Sequence, residues 1–276
     1  RLKEDETRLS FDMDYDRVVF SSAFRSLQDK TQVIPLSKTG FVHTRLTHSI
    51  EVSVVGRSLG RSVGKYLLAK YPHLRQLGYQ TNDFGAIVAA AAVAHDIGNP
   101  PFGHSGEKAM QAFFTEGPGI SLKEKVSPHF WEDITHFEGN ANAFRLLTHR
   151  FLGRREGGFV MTYSTLASIV KYPFSSTYAS KHGKFGFFAT EEETYKKIAD
   201  ELGIIQKDSS EAGICYVRHP LTYLMEAADD ICYEIMDIED SHKLKLLSFE
   251  ETTDLLLGFF DEDRKRESDS ESKTRA

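Results

Sequence analysis

An all-α, mostly helical fold around one core is what the sequence predicts, on three observations. Apolar side chains recur at helical steps along the longest stretches, an alanine-rich run sits between a capping position and a glycine–proline stop, and strand-like alternation is nearly absent. Residues Thr47–Lys70 place His48, Val52, Val55, Leu59, Val63 and Tyr66 three or four apart, on one helical face. Asn82 or Asp83 can cap a second helix running through Ile97, which Gly98 ends ahead of Pro100-Pro101. Its alanines permit close approach of neighbours, as in a buried central helix. A third helix is predicted from Phe137 to about Thr148 and a fourth from Leu221 to about Ile238. Only Gln32–Pro35 and Gly158–Met161 have strand character. Residues 1–260 read as one helical core. Residues 261–276, with eleven charges and one apolar residue, Ala276, read as a solvated tail or the truncated start of a further helix.

The chain has 276 residues, 34 Lys+Arg against 40 Asp+Glu, hence a formal charge of −6, with 40% hydrophobic and 27% charged residues. That is globular composition, and the length suffices for a large core. The mild acidity argues against a generic nucleic-acid coat. No apolar run approaches a membrane span, since the stretch Phe84–Ala94 is broken by His95-Asp96. Two cysteines, Cys215 and Cys232, cannot build a disulfide framework or a thiolate zinc site, so a reducing, cytoplasmic setting is expected. The sequence opens on Arg1 and shows no targeting segment.

Chemistry concentrates in three places: His48, the pair His95-Asp96, and Asp229-Asp230. Imidazole and carboxylate together suit a hard or borderline divalent cation. Asp229 lies among Leu224, Met225, Ala228, Ile231 and Cys232, company in which a carboxylate needs a cation or donors to offset its burial. Each of these residues alone is more often a satisfied core group than a ligand; their joint occurrence is what points to a metal centre. The loop Gly98–Glu107 adds to it, with two prolines and three glycines in ten residues that fix a tight path. His104 and Glu107 stand three apart where the next helix begins, so they share a face. A carboxylate beside an imidazole orients it and supports its cationic form, the pairing a general acid requires.

His48, His95-Asp96 and Asp229 resemble the H…HD…D site of the HD-domain phosphohydrolases. The stretches Asp29–Val33, Arg45–Ser49, His95–Glu107, His136–Asn140 and Met225–Tyr233 are similar, more narrowly, to deoxyguanosine triphosphate triphosphohydrolases and related dNTP triphosphohydrolases, over most of residues 10–240. The resemblance implies that His48, His95, Asp96 and Asp229 hold one divalent ion, Mg²⁺, Mn²⁺ or Fe²⁺, and that His104 is catalytic with Glu107 as its acidic partner. Asp229 is preferred to Asp230 because Asp229, Tyr233 and Asp237 recur at i, i+4 and i+8 on a single helix face. By the same resemblance Arg45 serves the phosphates or the sugar, Lys171 and His136 the phosphates, and Gln32, Tyr233 and Asp237 the sugar, with Tyr233 a steric wall against a 2′-hydroxyl. Arg25 is a further cation by position alone. The products implied are a deoxynucleoside and tripolyphosphate, from a dNTP substrate with dGTP foremost.

Homo-oligomers, tetramers or hexamers, are implied as well, and some relatives bind single-stranded DNA. Bacterial members of that family are considerably longer, with C-terminal helices that help close the nucleotide pocket and have no counterpart within these residues. Two other readings compete. One is an HD nucleotidase or phosphodiesterase acting on another nucleotide, against which His104, Glu107 and Lys171 are more apparatus than a monophosphate demands. The other is a nucleotide- or single-strand-binding regulator without turnover, against which no aromatic–basic interleaving stands out.

Overall fold

The computed structural model describes residues 9–33, 42–151, 157–179, 183–210 and 213–260. The charged stretch 261–276, and residues 34 and 35 of the first expected strand, lie outside them. Among the described residues the fold is all-α apart from one small hairpin.

Helix α1 (Ser10–Val19) leads through two short turns to Lys30, and Thr44 then starts α2 (Arg45–Lys70). Thr44 and Thr47 cap each other's backbone N–H groups, so the helix begins two residues earlier than the apolar spacing implied. The buried face of α2 only partly matches the apolar one read from sequence: His48 and Val52 are buried and Val55 and Leu59 pack at its edge, but Tyr66 is exposed. That buried face runs His48, Ser49, Val52, Ser53, Gly56, Gly60, Gly64 and Leu68, so the smallest side chains form the contact ridge. Against it lies α3 (Thr81–Ala94), capped through Gln80 and Asp83 and buried continuously from Gly85 to Ala94. A Cβ on Gly60 would lie 2.6 Å from the Phe84 carbonyl oxygen, so the two backbones are nearly in contact. Helix α3 is the central element: α1, α2, α7 (Tyr163–Ile169) and α9 (Thr222–Lys243) all pack on it.

After α3 the chain turns sharply through His95–Pro101. Gly98 is required here, because any Cβ would collide with Gly139 O and Ala143 N of the helix behind it. Phe102 and Gly103 both adopt left-handed backbone, φ 64° and 51°, and together redirect the chain into α4 (Gly103–Thr115). Next come α5 (Pro128–Thr135) and α6 (Gly139–Thr148), the latter two residues shorter at its start than predicted, with Glu138 as its N-cap. Residues Gly158–Met161 are not a strand. Gly158 and Val160 both take positive φ, 58° and 54°, which strand geometry forbids. The aromatic stretch that follows joins the core: Phe185 and Phe187 are fully buried, and Phe187 stacks on Tyr195 of α8 (Glu192–Leu202) at 4.7 Å.

Strands β1 (Gln206–Ser210) and β2 (Gly213–Tyr216) pair antiparallel, with Asp208 opposite Cys215 and Ser210 opposite Gly213. Helix α9 buries Met225, Ala228, Cys232, Met236 and Asp240 along one face, and α10 (Phe249–Leu257) closes the described chain.

Two measurements test this packing. Gly60→Ala forces α2 and α3 apart and is expected to lower unfolding free energy by about 1–3 kcal/mol, whereas Ser58→Ala, on the exposed face, leaves it unchanged; urea denaturation reads both. The second concerns His219, whose Nδ1 accepts from Leu221 N at 3.3 Å and whose burial pushes its pKa down from 6.5 to about 4. The fold thus favours the neutral ring, and the stability this contributes is present above pH 6.5 and lost as pH falls through 4. The difference in unfolding free energy between wild type and His219→Asn should shrink over that window by up to about 3 kcal/mol; a pH-independent difference would exclude the effect.

Candidate metal centre and cleft

Three helices and the turn after α3 bring the chemistry-bearing residues together. His48 stands on the first full turn of α2 and is wholly buried. His95 and Asp96 follow α3, and Asp229 projects from α9 beside its buried face. His48 Nε2 lies 2.9 Å and His95 Nε2 3.4 Å from Asp229 Oδ1, while His95 Nε2 is 3.5 Å from Asp96 Oδ1. One ligand-capable atom from each of His48, His95 and Asp96 falls within 4.8 Å of the others. The ring of His95 is fixed by a 2.6 Å bond from its Nδ1–H to the Ala92 carbonyl, which turns Nε2 toward the carboxylates. His48 presents Nδ1 to Met236 Sδ at 3.2 Å, and the two imidazoles meet edge to face.

Charge balance explains how these groups tolerate burial. Burial itself pushes the Asp96 carboxyl upward, but His95, Arg45 and His48 outweigh it and hold the group below the usual carboxylate range. Asp229 is likewise held far down against its burial, by His95, His48 and Lys171. His95 is raised in spite of burial by Asp96 and Asp229, and Lys171 in spite of burial by Asp229. The direct pairs are Arg45 Nη1 to Asp96 Oδ2 at 2.6 Å and Lys171 Nζ to Asp229 Oδ2 at 2.7 Å.

These residues form the floor of a cleft of 530 Å³. Of the residues singled out in the sequence, Gln32, Arg45, His48, His95, Asp96, His104, Lys171, Asp229 and Tyr233 line it. Glu107 is buried behind His104, accepting from its Nδ1 at 2.7 Å and from Gly139 N–H at 2.8 Å. His104 itself is 75% exposed. The side chains of Tyr233 and Asp237 are hydrogen-bonded to each other, and Asp237 stands outside the lining. His136 also stands outside it, its Nδ1 3.1 Å from the Glu132 carbonyl and 3.3 Å from the Glu132 carboxylate. Arg25 bonds the Phe20 carbonyl on the surface, and Asp230 is exposed.

Sequence reasoning missed Asn99, Asn140, Tyr172 and Lys184, all of which line the cleft. Lys184 pairs with Glu138 at 3.1 Å, and Asn140 donates to the same carboxylate at 2.8 Å. Asn99 and Asn140 sat inside motifs already quoted. Lys184 had no local signal, because its partner is 46 residues away.

A family model described as HD domain matches residues 45–207. A deoxyguanosinetriphosphate triphosphohydrolase-like protein of Pseudomonas aeruginosa is 45% identical over 260 residues, 93% of this chain and 57% of that protein. One of the same description from Synechocystis sp. is 45% identical over 278 residues, covering 97% and 62%. A deoxyguanosinetriphosphate triphosphohydrolase of Yersinia enterocolitica is 35% identical over 288 residues, covering 91% and 54%. The chain thus spans little more than half the length of the curated relatives it matches. No helix among the described residues is long and apolar enough to cross a membrane.

Proposed function

This chain belongs to the HD domain family, and from that premise we propose that it hydrolyses deoxynucleoside triphosphates, dGTP foremost, to the deoxynucleoside and tripolyphosphate with the help of one divalent cation. The observation that carries the reading is a buried cluster of His48, His95 and Asp96, with the half-buried Asp229 carboxylate against both imidazoles, under a cleft lined by Arg45, Lys171, Lys184 and His104. The donor set fits a cation: nitrogen and oxygen without sulfur suits Mg²⁺, Mn²⁺ or Fe²⁺. His48, His95, Asp96 and Asp229 would hold it. Bound there, such an ion supplies Lewis acidity, polarising a phosphoryl oxygen and lowering the pKa of water.

The protein's own groups account for the rest. Arg45, Lys171 and Lys184 offer cationic hydrogen-bond donors to the triphosphate. His104 is the proton donor. With Nδ1 bonded to Glu107, Nε2 on the opposite side of the ring is the nitrogen available to the 5′-oxygen. As a water oxygen bonds the α-phosphorus and the bond from that phosphorus to the 5′-oxygen breaks, the His104 proton passes to the departing alkoxide. The deoxynucleoside leaves as a neutral alcohol, the water oxygen stays on tripolyphosphate, and the water proton is released. Gln32 Oε1 is buried with no hydrogen-bond partner among the described residues, which supports its role as acceptor for the sugar 3′-hydroxyl. Tyr233, at the cleft margin, is the wall against a 2′-hydroxyl.

Incubation of the protein with each dNTP and Mn²⁺, with products resolved by ion exchange, tests the reading: tripolyphosphate is expected. Orthophosphate would favour a nucleotidase, and tight binding without products a regulator. His104→Ala should lower kcat by about 10²–10⁴-fold while Mn²⁺ is retained, and Asp96→Ala should abolish both. Tyr233→Ala should narrow the preference for dGTP over GTP; unchanged discrimination removes Tyr233 from that role.

A further inference from the structure

We infer that Asn99 is a positioning residue of the metal centre: its side-chain amide fixes the Oδ1 edge of Asp96, and Lys30 in turn fixes Asn99. The inference rests on the metal-binding reading of Asp96 given above. Asp96 is held at both edges. Arg45 takes Oδ2, and Asn99 Nδ2 donates to Oδ1 at 2.5 Å. Neither oxygen can swing away without breaking a bond to a buried or half-buried donor, so the carboxylate plane is set before any ion arrives.

The orientation of Asn99 is itself determined. Rotating its amide by half a turn would set oxygen against oxygen at Asp96. Its Oδ1 lies where a Cβ on Gly139 would have to be, so α6 approaches this amide through a residue without a side chain. The Asn99 backbone is anchored too: its N–H donates to the Asp96 carbonyl at 3.1 Å, and its carbonyl accepts from Lys30 Nζ at 2.6 Å.

Lys30 makes this more than a local cap. Its own carbonyl accepts the Arg45 backbone N–H at 3.1 Å, and the neighbouring Thr31 bridges to Thr44. One residue therefore ties the start of α2, which carries Arg45 and His48, to the loop after α3, which carries Asp96 and Asn99. Lys30 thus joins the Arg45–Asp96 pair in holding two ligands from different elements in register.

Mn²⁺ titration, followed by loss of the free-ion electron paramagnetic resonance signal, separates the outcomes, with circular dichroism confirming that each variant is folded. Asn99→Ala should weaken Mn²⁺ binding about 10–100-fold, with turnover largely recovered at excess Mn²⁺. Lys30→Met, which keeps the aliphatic stem, should weaken it several-fold, and Ser105→Ala on the exposed start of α4 should leave it unchanged. Should Asn99→Ala fail to fold, Asn99→Ser and Lys30→Met decide instead. Folded variants at Asn99 that bind Mn²⁺ as wild type does overturn this inference alone. A folded wild type that binds no Mn²⁺ overturns the metal reading and the inference with it.

Discussion

Two neighbouring carboxylates, Asp96 buried and Asp229 half-buried, set the terms for everything around them. An ionised carboxylate withdrawn from water is costly unless opposite charge and hydrogen bonds replace the lost hydration. Asp96 and Asp229 meet that demand through His48, His95, Arg45 and Lys171, which come from the start of α2, the end of α3 and the residues after α7. Those segments cannot move independently, because separating any of them leaves charge buried without a partner.

Close backbone packing makes such an arrangement reachable. The α2–α3 contact is built from glycine and alanine, so the helices approach until Cα and carbonyl atoms touch. Large side chains there would hold the axes further apart and widen the gap between His48 and His95, whose ring centres are 5.3 Å apart. The weakly amphipathic composition of α2 follows: its inner ridge is selected for small size rather than for apolarity. The same logic recurs at Gly98, where the turn bearing His95 and Asp96 meets α6 without an intervening side chain.

This explains which parts were legible from sequence. The helices show because periodicity and caps are local properties, and Asp229 shows because a carboxylate among apolar neighbours is anomalous on its face. Helix boundaries shifted by two residues where side-chain caps such as Thr44 and Glu138 outvoted apolar spacing. The hairpin stayed hidden because Gln206–Ser210 is polar throughout and has no alternation to read. Lys184 stayed hidden for a different reason. Its partner, Glu138, is a buried carboxylate 46 residues away in the chain, and no local window encodes that contact.

The floor and the rim of the cleft obey different rules, and this has a consequence for substitutions. Arg45 and Lys171 are the cations at the cleft floor, and both already neutralise carboxylates there, their side chains only 11% and 15% exposed. Removing either should cost activity and also strand a carboxylate, a loss of about 3–5 kcal/mol where a buried pair is broken. His104 stands at the rim, and its departure leaves Glu107 still bonded to the Gly139 N–H. Activity and stability are therefore coupled at the floor and separable at the rim. Thermal unfolding of Lys171→Met beside His104→Ala distinguishes the two cases: a large drop for the first and little change for the second is expected, and equal drops would show that the floor's charge balance is not what holds these helices together.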